Sequence, residues 1–304
     1  MTSGDFVRSF QIEGMNVRGR IVHLTDAVDR VIGAHGYPDS VSGVVGEALA
    51  LTALLGASLK FDGTLTIQTR SSGPVRMIVA DYTSPGVIRA CATFDREAVE
   101  RLGANPSFGS LIGEGSLAIT IDQGADMERY QGIVPLDGAG LAESAMSYFE
   151  RSEQLPTRIK LGVATLSARG TDGARPHWRA GGIMIQNLAT LGGQNAPKAD
   201  NPDDWVRASM LFATTEALEL VDPQVEAERL LFRLFHEDGV RVFDRQALAF
   251  GCRCSADRVV TVLAQYVEQE IRSLADEDGL IRATCEFCST TYRFAPEDVQ
   301  AAQA

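Results

Sequence analysis

Phe250-Gly-Cys252-Arg-Cys254-Ser255 and Cys285-Glu-Phe-Cys288 carry four of the chain's five cysteines, with residues 255–284 between the two pairs. Four thiolates in two close pairs can close a tetrahedral shell around one Zn²⁺. A shell of four sulfurs leaves no open position for a substrate, so direct metal catalysis is not expected. The same pairs are near enough in sequence to form two short disulfides on oxidation. A bridge across a single intervening residue closes a tight, strained ring and is labile. Ordinary zinc ribbons mostly use C-x-x-C at both ends, so the C-x-C raises a redox role above a purely structural one.

The module that holds these cysteines spans residues 251–304, too few to rely on a hydrophobic core alone. Ser255 is placed to cap a helix running to about Ser273, with Val259, Val260, Leu263 and Val267 on one face. Asp278-Gly279 reads as a turn. Leu280–Thr284 and Thr290–Phe294 flank the C-x-x-C as a short hairpin. Arg253, Arg258, Arg282 and Arg293 are near enough in sequence to offset the net negative charge of four thiolates on Zn²⁺. The module has nine Asp/Glu and five Arg, a net of −4, which disfavours a nucleic-acid-binding zinc ribbon.

Upstream, residues 196–250 have helical periodicity. Trp205, Met210, Leu211 and Phe212 fit one stretch, and Val225, Leu230, Leu231, Leu234 and Phe235 another, with Pro223 placed to start the second. This segment has eleven Asp/Glu and six Lys/Arg, a net of −5. It reads as a helical connector of many charges and a few large apolar anchors. The breaker cluster Gly192–Pro197 sets its upstream boundary. The expected organisation is therefore a core over 1–195, a linker over 196–250 and a cysteine module over 251–304.

Within the core, Val17–Leu24 alternates as a strand, and Thr25 is placed to cap a helix to about Ala34. Val44–Leu59 is apolar nearly all round and reads as a central buried helix rather than a membrane span. Thr64–Arg70, Val75–Asp81, Gly86–Phe94, Ser116–Ile121 and Arg179–Leu188 read as strands, and Leu141–Arg151 as an amphipathic helix. Grouped strands with helices before and after predict an α+β class. The full expectation is a mixed sheet-and-helix core, a helical linker and a small C-terminal four-cysteine zinc module.

The 304 residues are 45% hydrophobic and 22% charged, with a formal net charge of −12, an acidic globular composition. That balance argues against nucleic-acid binding. No apolar leader segment opens the sequence, so the expected location is cytoplasmic, where paired cysteines are more often metal ligands or redox centres than structural disulfides. Cys91, in Ile88–Phe94, reads as a buried small hydrophobe. Gly113-Glu-Gly115-Ser-Leu-Ala118 matches a dinucleotide fingerprint but leads into a strand-like run, where such a loop must open a helix. His23, His35, His177 and His236 show no ligand spacing, and Glu47 is a candidate buried carboxylate. No catalytic residue is expected.

The cysteine motifs resemble those of the heat shock protein 33 family of redox-regulated bacterial holdase chaperones. The resemblance spans essentially the whole chain. It also rests on Tyr292 and Phe294, His35-Gly-Tyr37-Pro38, Gly46-Glu-Ala-Leu-Ala-Leu, Leu59-Lys60-Phe61-Asp62-Gly63, Tyr130–Leu136, Ser152–Thr157, Ala180-Gly-Gly and Leu234-Phe235-His236-Glu237. It implies one Zn²⁺ held in the reduced state by Cys252, Cys254, Cys285 and Cys288. It implies oxidation to Cys252–Cys254 and Cys285–Cys288 disulfides with zinc release and loss of structure in module and linker. Homodimer formation, ATP-independent capture of unfolded or oxidatively damaged clients, and transfer to ATP-dependent foldase chaperones follow from the same resemblance. Trp205, Phe212, Leu231 and Phe235 are then the candidates for client contact. The rival reading is a C-x-x-C thiol-disulfide oxidoreductase, which needs a thioredoxin-like βαβ context that the sequence does not offer.

Overall fold

A computed structural model describes residues 4–59, 62–124, 127–136, 138–166, 176–188 and 202–301. Lys60, Phe61 and the Gly192–Pro197 boundary lie outside the described residues. The chain divides into two compact units, Met1–Phe250 and Gly251–Ala304.

The first unit opens with β1 (Phe6–Ile12), β2 (Val17–Leu24), α1 (Asp26–Gly33) and α2 (Asp39–Gly56). β3 (Thr64–Ser71), β4 (Val75–Thr83), β5 (Val87–Phe94), α3 (Arg96–Arg101), α4 (Phe108–Ile112), β6 (Gly115–Asp122) and β7 (Tyr130–Leu136) follow. Then come α5 (Leu141–Arg151), β8 (Thr157–Leu166), β9 (His177–Asn187) and α6 (Pro202–Ala213). A 3₁₀ turn (Ala217–Leu220), α7 (Ala227–Phe235), β10 (Val240–Ala247) and β11 (Ala249–Phe250) complete it. One sheet has the order β10-β1-β2-β9-β8 and the other β11-β5-β4-β3-β6-β7. The α+β class read from the sequence is the observed one.

α2 explains the central position of its sequence. Apolar all round, it packs against β2, β8 and β9 of one sheet and β3, β4 and β5 of the other. By length and composition it would pass for a membrane span, but 78% of it is buried inside the protein. The main core gathers Leu49, Leu51 and Leu54 of α2 with Ile67, Ile78 and Ile88 of the second sheet. At α1 the expected cap is replaced. Thr25 makes no side-chain cap; the Asp5 carboxylate instead accepts from the backbone N–H of Thr25, of Asp26 at 3.1 Å and of Ala27 at 2.6 Å. A carboxylate there satisfies orphan donors and meets the positive end of the helix.

The opposite face of the first sheet carries a second core. Phe6, Phe10 and Ile12 of β1, Val17 and Ile21 of β2, and Ile183 and Ile185 of β9 pack under α6, the 3₁₀ turn and α7. The connector is thus laid over a sheet face. Two readings are corrected here. Pro223 does not start a helix; α7 begins at Ala227, after Glu226. Residues 240–250 leave helical structure altogether. β10 pairs antiparallel with β1, and β11 pairs parallel with β5, so the connector's end supplies an edge strand to each sheet. The Gly113–Ala118 segment enters β6, a strand, which removes the dinucleotide reading.

The second unit contains α8 (Ala256–Leu263), α9 (Glu268–Ser273), β12 (Ile281–Thr284), β13 (Thr291–Phe294) and α10 (Pro296–Ala301). The single helix expected to Ser273 is two, broken at residues 264–267. Val267 precedes α9 and is exposed instead of joining the apolar face. The buried apolar set is Ile271, Ile281, Phe294 and Val299, with Val259, Val260 and Leu263 partly packed against it.

Candidate metal centre and the docked connector

Cys285 and Cys288 sit in the tight turn joining β12 to β13, whose register closes at Thr284↔Thr291. Cys285 N–H donates to the Thr290 carbonyl at 2.9 Å, and Ser289 N–H to the Cys285 carbonyl at 2.8 Å. Ser289 takes the left-handed conformation this turn needs, with φ 55°. Cys252 and Cys254 lie in the extended chain ahead of α8. Ser255 caps that helix by accepting from Arg258 N–H at 3.2 Å, as the sequence predicts. The Arg258 guanidinium reaches back to the Arg253 carbonyl at 2.8 Å, bracing the residue between the two cysteines. Arg282 pairs with Asp276 at 2.6 Å and with Asp278.

The hairpin and the extended chain bring four sulfurs together, all within 4.8 Å of one another. Cys252 Sγ lies 3.6 Å from Cys285 Sγ, and Cys254 Sγ lies 3.4 Å from Cys288 Sγ. A tetrahedral four-thiolate shell with metal–sulfur bonds of about 2.3 Å has sulfurs about 3.8 Å apart. The cluster therefore lies close enough to hold a metal ion. Tyr292 Oη donates to Cys254 Sγ at 3.2 Å, and Thr290 Oγ1 lies 3.2 Å from Cys288 Sγ. Tyr292 and Thr290 support the sulfurs from the same hairpin; strand alternation, which puts positions 290 and 292 on one side, is the signal that could have singled them out.

The sulfurs divide the charge unequally. At Cys254 the Tyr292 hydrogen bond favours the thiolate, but burial and the neighbouring sulfurs outweigh it and push the thiol up to about 12. At Cys288 burial is outweighed by Thr290 and the adjacent thiols, which pull it down to about 6. Burial also raises Cys285. Four thiolates this close repel one another, so like charge opposes full ionisation of the set. A bound cation reverses that crowding, so metal uptake releases protons.

The residues expected to meet clients all belong to the second core of the first unit. Phe212, Leu231 and Phe235 are 4%, 0% and 0% exposed, and Phe235 stacks on Phe10 with centroids 6.0 Å apart. Trp205 is half-buried, with the Arg158 guanidinium 5.5 Å from its ring centre. Glu228 of α7 clasps the connector to the sheet, accepting from Arg245 of β10 at 2.9 Å and from Arg8 of β1. The sequence reading missed a backbone device here. A Cβ at Gly181 would sit 2.1 Å from the Leu220 carbonyl oxygen, and one at Gly162 2.2 Å from that of Ala217. These glycines let the 3₁₀ turn lie flat on the sheet.

Cys91 is buried on β5 opposite Val79, as its strand pattern predicts. The histidines are scattered, as the sequence suggests. His23 stacks on Phe6, and burial, then the Arg179 and Arg245 charges, hold it neutral with its value lowered to about 4. His35 stacks on Tyr37, and His177 bonds Asp29 at 3.0 Å.

The site consists of a mixed two-sheet core in one unit and a four-thiol cluster in a small second unit. A sequence model described as Hsp33 protein matches residues 5–295. The 33 kDa chaperonin of Caulobacter vibrioides (strain NA1000 / CB15N) is 44% identical over 295 residues, covering 96% of this chain and 95% of its own. The 33 kDa chaperonin of Ectopseudomonas mendocina is 37% identical, with 97% and 94% covered. The crystal structure of the 33 kDa chaperonin (heat shock protein 33 homolog) of Thermotoga maritima superposes with a TM-score of 0.77 at 21% identity, over 98% of this chain and 97% of that one. The chain belongs to the Hsp33 family.

Proposed function

We propose that this chaperone is an ATP-independent holdase switched by oxidation of its four-cysteine centre. The observation that carries the reading is the convergence of Cys252, Cys254, Cys285 and Cys288 in a unit with only four buried apolar side chains among its described residues. All-sulfur tetrahedral donors suit Zn²⁺. Bound Zn²⁺ keeps the four sulfurs together as thiolates at neutral pH.

Oxidation then proceeds on the sulfurs. A thiolate attacks a hydroperoxide oxygen; an S–O bond forms, the O–O bond breaks and hydroxide leaves. Its partner thiolate attacks the resulting sulfenic sulfur; an S–S bond forms and a second hydroxide leaves. Each pair thereby gives two electrons to one peroxide. Pairing within each motif, Cys252–Cys254 and Cys285–Cys288, leaves no thiolate to ligate the metal, which is released. Zinc binding in small modules is worth about 10–16 kcal/mol apparent, comparable to the whole stability of a domain. Its loss unfolds the 251–304 switch and frees the metastable linker 196–250 from the 1–195 core. Trp205, Phe212, Leu231 and Phe235 then become accessible to unfolding or oxidatively damaged clients in the cytoplasm. The oxidised protein dimerises and passes its clients to ATP-dependent foldases.

The oxidoreductase reading lacks structural support. The C-x-x-C closes a β-hairpin and does not open a helix. Metal analysis of anaerobically purified protein tests the proposal. One zinc per chain is expected, lost when all four cysteines become serine. Zinc near zero in the unmodified protein, or retained by the four-serine variant, overturns it.

A further inference from the structure

β10 is an edge strand that buries none of its own side chains. Every residue from Val240 to Ala247 is half-buried or exposed, and Arg241, Asp244 and Arg245 carry charge. The strand it covers is the reverse: Phe6, Val7, Phe10 and Ile12 of β1 are buried. The two are joined along a ladder from Phe6↔Ala247 to Ile12↔Val240, with an irregularity between Arg8 and Phe10. Beyond the ladder, β10 is held by the partial packing of Val240 and Val242, by the Arg245–Glu228 bond to α7, by the Arg245 guanidinium 4.5 Å from the Phe6 ring centre, and by Gln246, which donates to Tyr82 Oη at 2.6 Å and to the Pro85 carbonyl. A charged strand therefore caps an apolar one, which is how native sheets mask an edge that would otherwise recruit other chains.

We infer that the β1 edge, once β10 leaves, is a strand-addition site for an extended client segment that is apolar at alternate positions. The inference rests on the linker release proposed above. Its geometry is present beforehand. On its other side β1 pairs with β2 from Phe6↔His23 to Ile12↔Val17, and β2 pairs in turn with β9, so the vacated edge stays straight and in register. An arriving strand takes the ladder bonds that β10 gave up. Apolar side chains at the places of Val242 and Val240 meet Phe10 and Ile12 as direct cross-strand neighbours. Folded proteins rarely offer a free strand of this kind, whereas unfolding ones do, so the edge selects clients by their state. Regeneration of the metal centre returns β10 as a tethered competitor at high effective concentration, which displaces the client without ATP.

Residue-resolved hydrogen exchange on the full-length chain tests this in three states: reduced and zinc-loaded, oxidised, and oxidised with heat-unfolded citrate synthase. The β1 amides facing β10 are expected to exchange at least ten-fold faster after oxidation and to slow again with client, while β2 and β9 amides stay constant. In parallel, Gln11→p-benzoylphenylalanine, opposite Arg241, is expected to photo-cross-link within the chain when reduced and to the client when oxidised. If aggregation is suppressed while β1 stays protected, the edge is never vacated; the inference fails and the redox reading survives. If β1 opens but client neither slows it nor cross-links at position 11, clients bind elsewhere and the inference also fails. An oxidised protein that neither opens β1 nor suppresses aggregation overturns both.

Discussion

Leu231→Asp in α7 separates linker docking from metal loss. Leu231 is fully buried, with Phe10, Phe212 and Phe235 in the same cluster. Losing its burial removes about 1.5–3 kcal/mol. An unpaired carboxylate in that apolar layer adds a further penalty, about 1–3 kcal/mol on protein scales. The sum, about 2.5–6 kcal/mol, reaches the range of severe single substitutions and is a large part of the roughly 5–15 kcal/mol that stabilises a domain. The cysteine unit is untouched. The reduced, zinc-loaded variant is therefore expected to suppress light scattering from a thermally aggregating client, and trypsin is expected to cut it at Arg229 and Arg233. Phe232→Asp is the control: Phe232 is 63% exposed, so that variant should stay docked and inactive. Cleavage of Leu231→Asp at those arginines with no suppression of aggregation would refute the reasoning, because linker release would then not be what activates the protein.

Gly181→Ala places a methyl 2.1 Å from the Leu220 carbonyl oxygen. Overpacking of this kind costs about 1–3 kcal/mol, so roughly ten- to hundred-fold faster hydrogen exchange is expected at 217–220 in the reduced protein; unchanged exchange would show the turn is not seated by that glycine. Cys91→Ser should leave zinc content and peroxide activation intact, and a variant that no longer responds to peroxide would place Cys91 in the switch. Glu47 is raised to about 7 by burial and then by the Glu143 carboxylate. The folded state thus holds a proton that the unfolded chain releases near 4.5; the stabilisation is full below that value and is lost as pH rises through about 7. Glu47→Gln should therefore raise the unfolding free energy more at pH 8 than at pH 5, by at most about 3 kcal/mol, and an equal change at both pH values in denaturant titrations would contradict the assignment.

The sequence was most legible where one periodicity ruled. Val17–Leu24 and Leu141–Arg151 have the bounds expected of them, because alternation and helical amphipathy there meet a single buried face. It was least legible where the partner decides the structure. Val240-Arg-Val-Phe-Asp-Arg-Gln-Ala247 has little to mark it as a strand beside the helical pattern before it; it becomes one because β1 offers an open edge. Thr25 looks like a cap, yet Asp5, twenty residues earlier, takes the role through a tertiary approach. The four cysteines were readable as a set because two close pairs of thiols are the donor pattern of a tetrahedral metal site. Tyr292 and the flat approach over Gly162 and Gly181 were not, because they depend on distances between elements rather than along them.

The central claim is that metal release, thiol oxidation and client capture are one event. The direct measurement titrates reduced protein with peroxide at elevated temperature and follows three readouts on the same samples: free zinc with a chromogenic chelator, free thiols by mass, and suppression of client aggregation. The account predicts that one zinc appears for every four thiols lost from Cys252, Cys254, Cys285 and Cys288, and that holdase activity rises in step with both. Full suppression of aggregation while zinc and all four thiols are retained would contradict it, as would complete zinc loss and thiol oxidation with no gain in activity.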